Sequence, residues 1–325
     1  MDENGYRAFL KDRNLDDEKI TDSVAAVRRH EEYLEDNDKS LTSADRQDFR
    51  AYVSILMEKR NNSYEEFYAL ARYAYFIGNL ETYLGILELT DGADVMEVLS
   101  DALADEIGDS WREQIFEDIT LPPLGTPSGE KNKVAQIVIQ RIERLLDQET
   151  CEEILSKVAH GIPREYYEKE RQKYLDAGSL QEYVKRKRAD AIENLVKHRE
   201  EGTLFYTQEI TDEVLDFVSS RPDILTGELR EDVIYHTKIP YMTKEYLAET
   251  DERMKRFYYC HCPWARESIL DDDIDVSSTL CYCSAGFTKQ PWEVALDQPL
   301  EIRLVKSVLK GDLECSFEIQ LPKDI

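Results

Sequence analysis

Long apolar runs are absent from this chain of 325 residues. A membrane-spanning helix needs roughly 20 consecutive apolar residues, and no stretch approaches that length, so the sequence predicts no membrane association. The amino terminus, Met1-Asp2-Glu3-Asn4-Gly5, also lacks the basic and apolar segments of a secretory signal. We therefore expect a cytoplasmic protein whose cysteines stay reduced instead of forming disulfides.

Positive charge is scarce, because the chain has 41 Lys and Arg residues but 68 Asp and Glu residues, which gives a formal net charge of −27. Such a field repels phosphate backbones and anionic lipid surfaces, so nucleic acid and membranes are disfavoured as partners. One basic run, Lys185-Arg186-Lys187-Arg188, is interpreted as a solvated helix face. A phosphate-binding loop is missing, because the glycine-containing stretch 125–131 has no Gly-Lys-Ser/Thr ending.

What the chain does contain is enough apolar material for two folded domains, with 42% hydrophobic and 10% aromatic residues. Apolar residues recur at helical spacing up to about residue 120, and Leu121 to Gly129 then breaks every periodicity with prolines and glycines. The sequence predicts an α+β fold. A helical domain (1–120) and a linker (121–131) precede a cysteine-rich, α/β sandwich-like domain (132–325) with an antiparallel sheet.

Five of the six cysteines lie between residues 260 and 315, four of them as two Cys-x-Cys pairs among aromatic residues. Aromatic and β-branched neighbours favour strands, and residues i and i+2 of a strand point to the same face. Opposite Cβ atoms on paired strands lie about 4.5–5.5 Å apart, so thiolates could converge on one metal ion. His261 and Tyr282 are then expected to point to the opposite face. The predicted metal ligands are Cys260, Cys262, Cys281, Cys283 and Cys315.

The identity of the metal stays open between zinc and an iron–sulfur cluster, which a brown colour would distinguish. Four thiolates around zinc make a closed structural site, whereas three leave a position for water or substrate. Two other interpretations of the thiols are buried, chemically inert side chains and a redox or nucleophilic role.

Aromatic residues near the cysteines suggest an apolar pocket for a small molecule, with Arg266 and Glu267 as polar contacts. Ordinary core packing explains the same aromatic residues. If the site is catalytic, Glu267, His261 and Asp312 are the candidate bases, with surface positions as the alternative. The predicted pocket residues are Tyr259, Trp264, Tyr282, Phe287 and Trp292.

A family resemblance rests on the order of residues in the C-terminal part, from about residue 150. Gly286 follows Cys281 by five residues, an alternating strand comes next, and Gly311-Asp312-x-x-Cys315-x-Phe317 closes the pattern. This order resembles the 4-vinyl reductase domain and the L-2-amino-thiazoline-4-carboxylic acid hydrolase-like proteins, above all a bacterial branch with both Cys-x-Cys pairs. The resemblance implies an α/β sandwich that binds small molecules.

The same resemblance implies zinc, with Cys281 and Cys315 at ligand positions. This sequence departs from the zinc-binding members, which carry a Glu and a Cys where Leu304 and Ser307 stand here. The other three cysteines of the cluster would then supply the missing ligands.

The first 80 or so residues resemble, in helix spacing and aromatic placement, the helical core-binding domain of phage-integrase tyrosine recombinases. We interpret this part as an interaction domain through which the chain forms a homo-oligomer. The functional hypothesis is a metal-binding protein, zinc-thiolate in type, that binds or senses a small molecule. The alternatives are a metal-dependent hydrolase and an interaction protein whose sheet is stapled by zinc.

Overall fold

The computed structural model describes residues 1–322, so residues 323–325 of the predicted C-terminal domain lie outside it. The fold is α+β, as predicted: the N-terminal region is helical, and small antiparallel sheets lie in the C-terminal part. Packing divides the chain into two units. One comprises Met1–Ala93 and Pro122–Glu130, and the other comprises Asp94–Leu121 and the chain from Lys131 onward.

The first unit is a bundle whose helices begin at residues that can cap them. Asp45 starts the helix Arg46–Glu58 in a capping box with Asp48, and the Asn79 side chain caps the helix Leu80–Thr90 while donating to the carbonyls of Leu41 and Ala44. Such caps satisfy N–H groups that a helix leaves without partners at its start. The helices are α1 Glu3–Lys11, α2 Asp17–Asp36, α3 Arg46–Glu58, α4 Tyr64–Phe76 and α5 Leu80–Thr90.

The stretch predicted as a linker packs onto this bundle. Leu124 contacts its hydrophobic core, and its carbonyl accepts a hydrogen bond of 2.8 Å from the Asn62 side chain. Gly125 has a φ of +97°, and a Cβ there would lie 2.6 Å from Val53. Only glycine fits this close approach without strain.

The second unit contains most of the helices and both sheets. Its helices are α6 Val95–Ile107, α7 Asp109–Ile115, α8 Ser128–Leu145 (which begins in the first unit), α9 Gln148–Val158, α10 Glu168–Ala177, α11 Leu180–Glu201, α12 Asp212–Ser219, α13 Thr243–Ala248, α14 Glu252–Tyr259 and α15 Tyr282–Leu296. Its strands are β1 Leu204–Phe205, β2 Gln208–Glu209, β3 Glu228–Arg230, β4 Val233–Thr237, β5 Glu301–Lys306 and β6 Ser316–Gln320. None of the helices within residues 1–322 is both long and apolar enough to cross a membrane.

The larger sheet has the strand order β3-β4-β6-β5, and every neighbouring pair is antiparallel. Ile319 of β6 lies opposite Ile234 of β4 and Ile302 of β5, which places three apolar side chains in one row. Ile319 and Ile234 pack in one core with Trp292 of α15. The apolar face of the sheet therefore packs against α15.

The prediction that the sheet carries the cysteine pairs is wrong. Cys260 follows the last residue of α14, Cys262 lies in the loop beyond it, Cys281 ends a 3₁₀ turn and Cys283 lies in the first turn of α15. Only Cys315 adjoins a strand, β6. The aromatic neighbours of the pairs misled the assignment, because β propensity depends on tertiary context and here these residues pack at helix ends and in loops.

The basic run in α11 is not a uniformly solvated face. Lys187 pairs with the Glu170 carboxylate and lies 5.6 Å from the Trp292 ring centroid. Arg188 donates to main-chain carbonyls, among them that of Ile224. Lys187 and Arg188 are thus half-buried, whereas Lys185 and Arg186 are exposed.

Candidate functional site

A small cavity of about 30 Å³ in the second unit is lined by all five clustered cysteines. Three chain segments bring them there: the end of α14 with its following loop, the start of α15 and the residue before β6. The convergence predicted from sequence is therefore present, although loops and helix ends produce it. The lining cysteines are Cys260, Cys262, Cys281, Cys283 and Cys315.

Backbone hydrogen bonds join the segments that surround the cavity. The Lys238 N–H donates to the Cys315 carbonyl at 3.0 Å, and the Tyr241 N–H donates to the Tyr259 carbonyl at 3.3 Å. The Tyr259 hydroxyl returns a hydrogen bond to the Lys238 carbonyl. The segment after β4 therefore ties the end of α14 to the start of β6.

Burial keeps the cysteines protonated. It raises the pKa of Cys281 to about 12 and that of Cys283 to about 11, against an ordinary value near 9. The pKa values of Cys260, Cys262 and Cys315 are raised chiefly for the same reason, and neighbouring thiols raise those of Cys262 and Cys315 further. At pH 7 the thiols are neutral, so a metal ion would have to displace their protons.

Two hydrogen bonds fix individual sulfur atoms. Cys281 Sγ lies 3.2 Å from Ser307 Oγ, at the position where the resemblance described above expects a second cysteine. Cys283 Sγ accepts a hydrogen bond of 3.3 Å from the His160 N–H. Both contacts lower the pKa of the sulfur that they reach, although burial outweighs them.

A left-handed turn after α9 aims the His160 N–H at Cys283. Ala159, His160 and Gly161 have φ values of 43°, 59° and 73°, a conformation that costs about 1–2 kcal/mol for each non-glycine residue. The same turn directs the imidazole toward α15, where Nε2 lies 3.0 Å from Ser284 Oγ. Strain of this kind persists where surrounding contacts hold it, often at functional sites.

Lys238, the residue after β4, completes this side of the cavity. Its ammonium donates to Ser284 Oγ at 3.1 Å and lies 6.0 Å from the Phe287 ring centroid. Burial is the main cause that lowers the pKa of His160 to about 3, and the nearby positive charge of Lys238 lowers it further. His160 is therefore a neutral imidazole at pH 7.

His261 lines the cavity, contrary to the expectation that it points to the opposite face from the cysteines. The residues around it form a loop, so the strand alternation behind that expectation does not apply. Its Nε2 lies 2.7 Å from the Ile239 carbonyl, which can only accept, so Nε2 carries the proton and Nδ1 keeps a lone pair. Burial holds the pKa of His261 well below its ordinary value, which adds a neutral nitrogen donor to the lining.

The predicted aromatic pocket is mostly dispersed. Tyr259 lines the cavity, whereas Trp264 and Tyr282 are buried in the largest core of the second unit. Trp292 packs against the larger sheet. Phe287 stacks edge-on against His160 at a centroid distance of 5.1 Å, behind the lining residues.

Two of the three candidate bases lie outside the lining of the cavity, namely Glu267 and Asp312. The Asp312 carboxylate instead accepts a hydrogen bond of 2.9 Å from the Ser307 N–H. Arg266, predicted as a polar contact, lies over the rings of Tyr241 and Phe257.

The donor set suits a soft metal ion in its chemistry, because thiolates and neutral imidazoles are preferred by zinc and Cu(I), and thiolates by iron–sulfur clusters. The side-chain positions do not form a ready-made site. Within residues 1–322, no group of three or more His, Cys, Asp or Glu is placed to hold a metal ion. Binding would therefore require the cysteine side chains to change rotamer.

Sequence reasoning missed His160, Lys238 and Ser284. Ser284 follows Cys283 directly, so its proximity to the thiols was foreseeable. His160 and Lys238 are 124 and 46 residues away from it along the chain, and no spacing rule connects them.

Residues 242–325 match a family whose description is a family of unknown function, DUF6144. The matched segment contains α13, α14, α15 and the last two strands, and with them the five cysteines that line the cavity. Neither a curated protein nor a solved structure matches the chain.

Proposed function

We propose that the second unit binds a soft metal ion, zinc first of all, through thiolates of the cysteines that line the cavity, and that the site senses or binds a small molecule. The observation that carries the proposal is the convergence of five thiols on one cavity of about 30 Å³. The sixth, Cys151, lies in α9 with Sγ 3.8 Å from the Ile142 carbonyl and does not line it.

Charge explains how metal binding would proceed. Several thiolates cannot coexist in a buried cavity without a cation, because burial and mutual repulsion both favour the protonated form. A divalent ion reverses this preference, since thiols coordinate as thiolates and release their protons. Rotation about χ1 then moves each Sγ toward the ion without moving the backbone.

Two hydrogen bonds would help to orient the ligands of a bound metal, one at His261 and one at Cys283. A metal-bound histidine usually donates its second ring N–H to a carbonyl or carboxylate, as His261 donates to Ile239. The His160 N–H to Cys283 Sγ bond would persist to a thiolate and strengthen with its charge. Of the three candidate bases only His261 lines the cavity, so a hydrolase would depend on that residue for proton transfer.

Metal analysis of the full chain tests the proposal. Protein purified without added metal is expected to contain a stoichiometric amount of zinc, and Cys281→Ser and Cys315→Ser to lose most of it. Cys151→Ser is the matched control and should retain the metal content of the wild type. A folded wild-type protein that holds no metal and takes up none when zinc is added would contradict the proposal.

Proton release counts the coordinating thiols. Because the metal-free thiols are protonated at pH 7, each one that coordinates should release about one proton when zinc binds. Calorimetry in buffers of different ionisation enthalpy measures that number. Three protons indicate a site with an open position for a ligand, and four indicate a closed, structural site. A brown protein with visible absorption would indicate an iron–sulfur cluster instead of zinc.

A further inference from the structure

The wall of the cavity is electrostatically unlike the rest of the chain. The protein has a formal net charge of −27, yet the described residues that line the cavity include no Asp, Glu or Arg and a single Lys, Lys238. Lys238 is half-buried and forms no ion pair among residues 1–322. Lys238 therefore places the one positive charge of the described lining residues beside apolar and thiol side chains.

The Lys238 ammonium donates one hydrogen bond although it can donate three. An ammonium group has three N–H donors, and among the described residues only Ser284 Oγ accepts from it, at 3.1 Å. His160 Nε2 reaches the same hydroxyl at 3.0 Å. A hydroxyl held between two groups in this way is oriented, and the remaining ammonium protons are left for another acceptor.

We propose that Lys238 and Ser284, with His160 positioning the Ser284 hydroxyl, bind the carboxylate of a small organic acid inside the cavity. Lys238 supplies the charge. With the His160 Nε2–H and the Lys238 ammonium both donating to Ser284 Oγ, the Ser284 hydroxyl donates its own proton to the carboxylate. Charge-assisted hydrogen bonds of this type are shorter and about twice as strong as neutral ones. The assignment does not depend on a bound metal, because none of the three residues is among the proposed thiolate ligands.

The rest of the cavity limits the ligand. It leaves about 30 Å³ to the centres of water-sized groups, which is space for about two of them, so the ligand is a carboxylate with at most a very short body. Leu280, Val308 and Phe317 line the remaining wall together with the thiols, so that body is apolar or carries a soft donor atom. A dianion or a phosphate ester would leave charge against apolar side chains and is disfavoured.

Acetate is the probe, and acetamide is its neutral counterpart of the same shape. Amide chemical shifts of ¹⁵N-labelled full-length protein should change saturably with sodium acetate around residues 160, 238 and 284. Acetamide and sodium chloride should leave those amides unmoved. The titration is made at pH 7 on protein of measured metal content, with and without zinc, so that failure of acetate binding and failure of metal binding are separate results.

Lys238→Met removes the charge and keeps the length of the side chain, and it should weaken acetate binding by at least about tenfold. Ser284→Ala should weaken it by a smaller factor. Lys244→Met is the matched control, since Lys244 is exposed and paired with Glu209, and it should bind acetate as the wild type does.

Three results would overturn the assignment. Acetate and acetamide could shift the same amides equally, acetate could bind Lys238→Met as tightly as the wild type, or acetate could produce no saturable shift at all. If Lys238→Met lost zinc while keeping its acetate affinity, Lys238 would serve only to offset the charge of the thiolates. Ser284→Ala and the acetamide comparison keep the test valid if Lys238→Met does not fold.

Discussion

Burial sets the charge of single side chains in both units. His30 in α2 is 2% exposed, packs at 4.7 Å from the Tyr52 ring centroid, and has its pKa lowered by desolvation to about 4. His160 beside the cysteine cavity and His236 on β4 have pKa values near 3 for the same leading reason. Each of these imidazoles is neutral at pH 7 because desolvation outweighs the attraction of nearby carboxylates, Asp48 for His30 and Asp223 for His236.

His30 predicts an acid-sensitive first unit. Its folded-state pKa lies below the unfolded value near 6.5, so as the pH falls the unfolded chain binds the proton first. Stability is therefore full above about pH 6.5 and decreases between pH 6.5 and 4, by about 3 kcal/mol from this residue. In His30→Phe this part of the loss should disappear from urea unfolding curves recorded by far-UV circular dichroism.

His198→Gln is the control for His30, because His198 is half-buried in the second unit and hydrogen-bonded to Thr203. The loss of stability of this variant at low pH should match that of the wild type. An unchanged pH dependence in His30→Phe would show that burial of this imidazole does not govern the acid stability of the unit.

Close contact between α9 and α15 decides where the cavity residues lie. A Cβ on Gly286 would lie 1.7 Å from the Ser156 carbonyl oxygen, so the two helices touch through their backbones. Immediately beyond Ser156, the left-handed turn brings His160 onto Cys283 and Ser284 of the same helix. Glycine at this position therefore serves packing between helices and, through it, the geometry of the site.

Gly286→Ala is expected to destabilise the second unit by about 3 kcal/mol or more, because backbone atoms cannot rotate away as a side chain can. The transition midpoint in guanidinium chloride, followed by tryptophan fluorescence and by far-UV circular dichroism, measures this loss. Gly129→Ala is the matched control in a helix, α8, where a Cβ meets nothing within 4 Å. It should change stability by less than about 1 kcal/mol, and toward stabilisation. Because Gly129 belongs to the first unit, its effect is measured by circular dichroism. Equal midpoints for the two variants would refute close helix contact at Gly286.

The whole molecule offers separate spectroscopic signals for its two units. All three tryptophans, Trp111, Trp264 and Trp292, belong to the second unit, whereas helices contribute far-UV circular dichroism from both. The chain passes between the units after Ala93, Leu121 and Glu130. Cutting at the boundary suggested by the sequence, near residue 120, would thus remove Leu124 and Gly125 from the core of the first unit.

Cys281→Ser is expected to lower the midpoint of the tryptophan-monitored transition, because a metal that binds only the folded unit stabilises that unit. A loss of at least about 2 kcal/mol should be visible there, while part of the helical signal persists to the wild-type midpoint. Cys151→Ser tests whether loss of a buried thiol alone has this effect. Coincident shifts of both signals, with no residual helix, would contradict independent stability of the units.

Helix positions in the first unit were largely predictable, because its apolar residues recur at helical spacing and its helices begin at Asp, Ser or Asn caps. The elements around the cysteines were not. In α15, Tyr282 and Cys283 are buried side by side, as are Ala285 and Gly286, which weakens the polar–apolar contrast that separates a helical from a strand period. Metal binding and the family resemblance of the C-terminal part remain predictions.

The sequence by itself determined the charge of the chain, its helical character and the gathering of five cysteines within residues 260–315, because composition and local spacing are properties of the chain alone. Only the tertiary structure decided that helix ends and loops carry those thiols, and that His160 and Lys238 join Ser284 at their edge. The physical reason is that these contacts depend on how α9, α15 and β4 pack, and packing between distant segments leaves no periodic trace in the sequence.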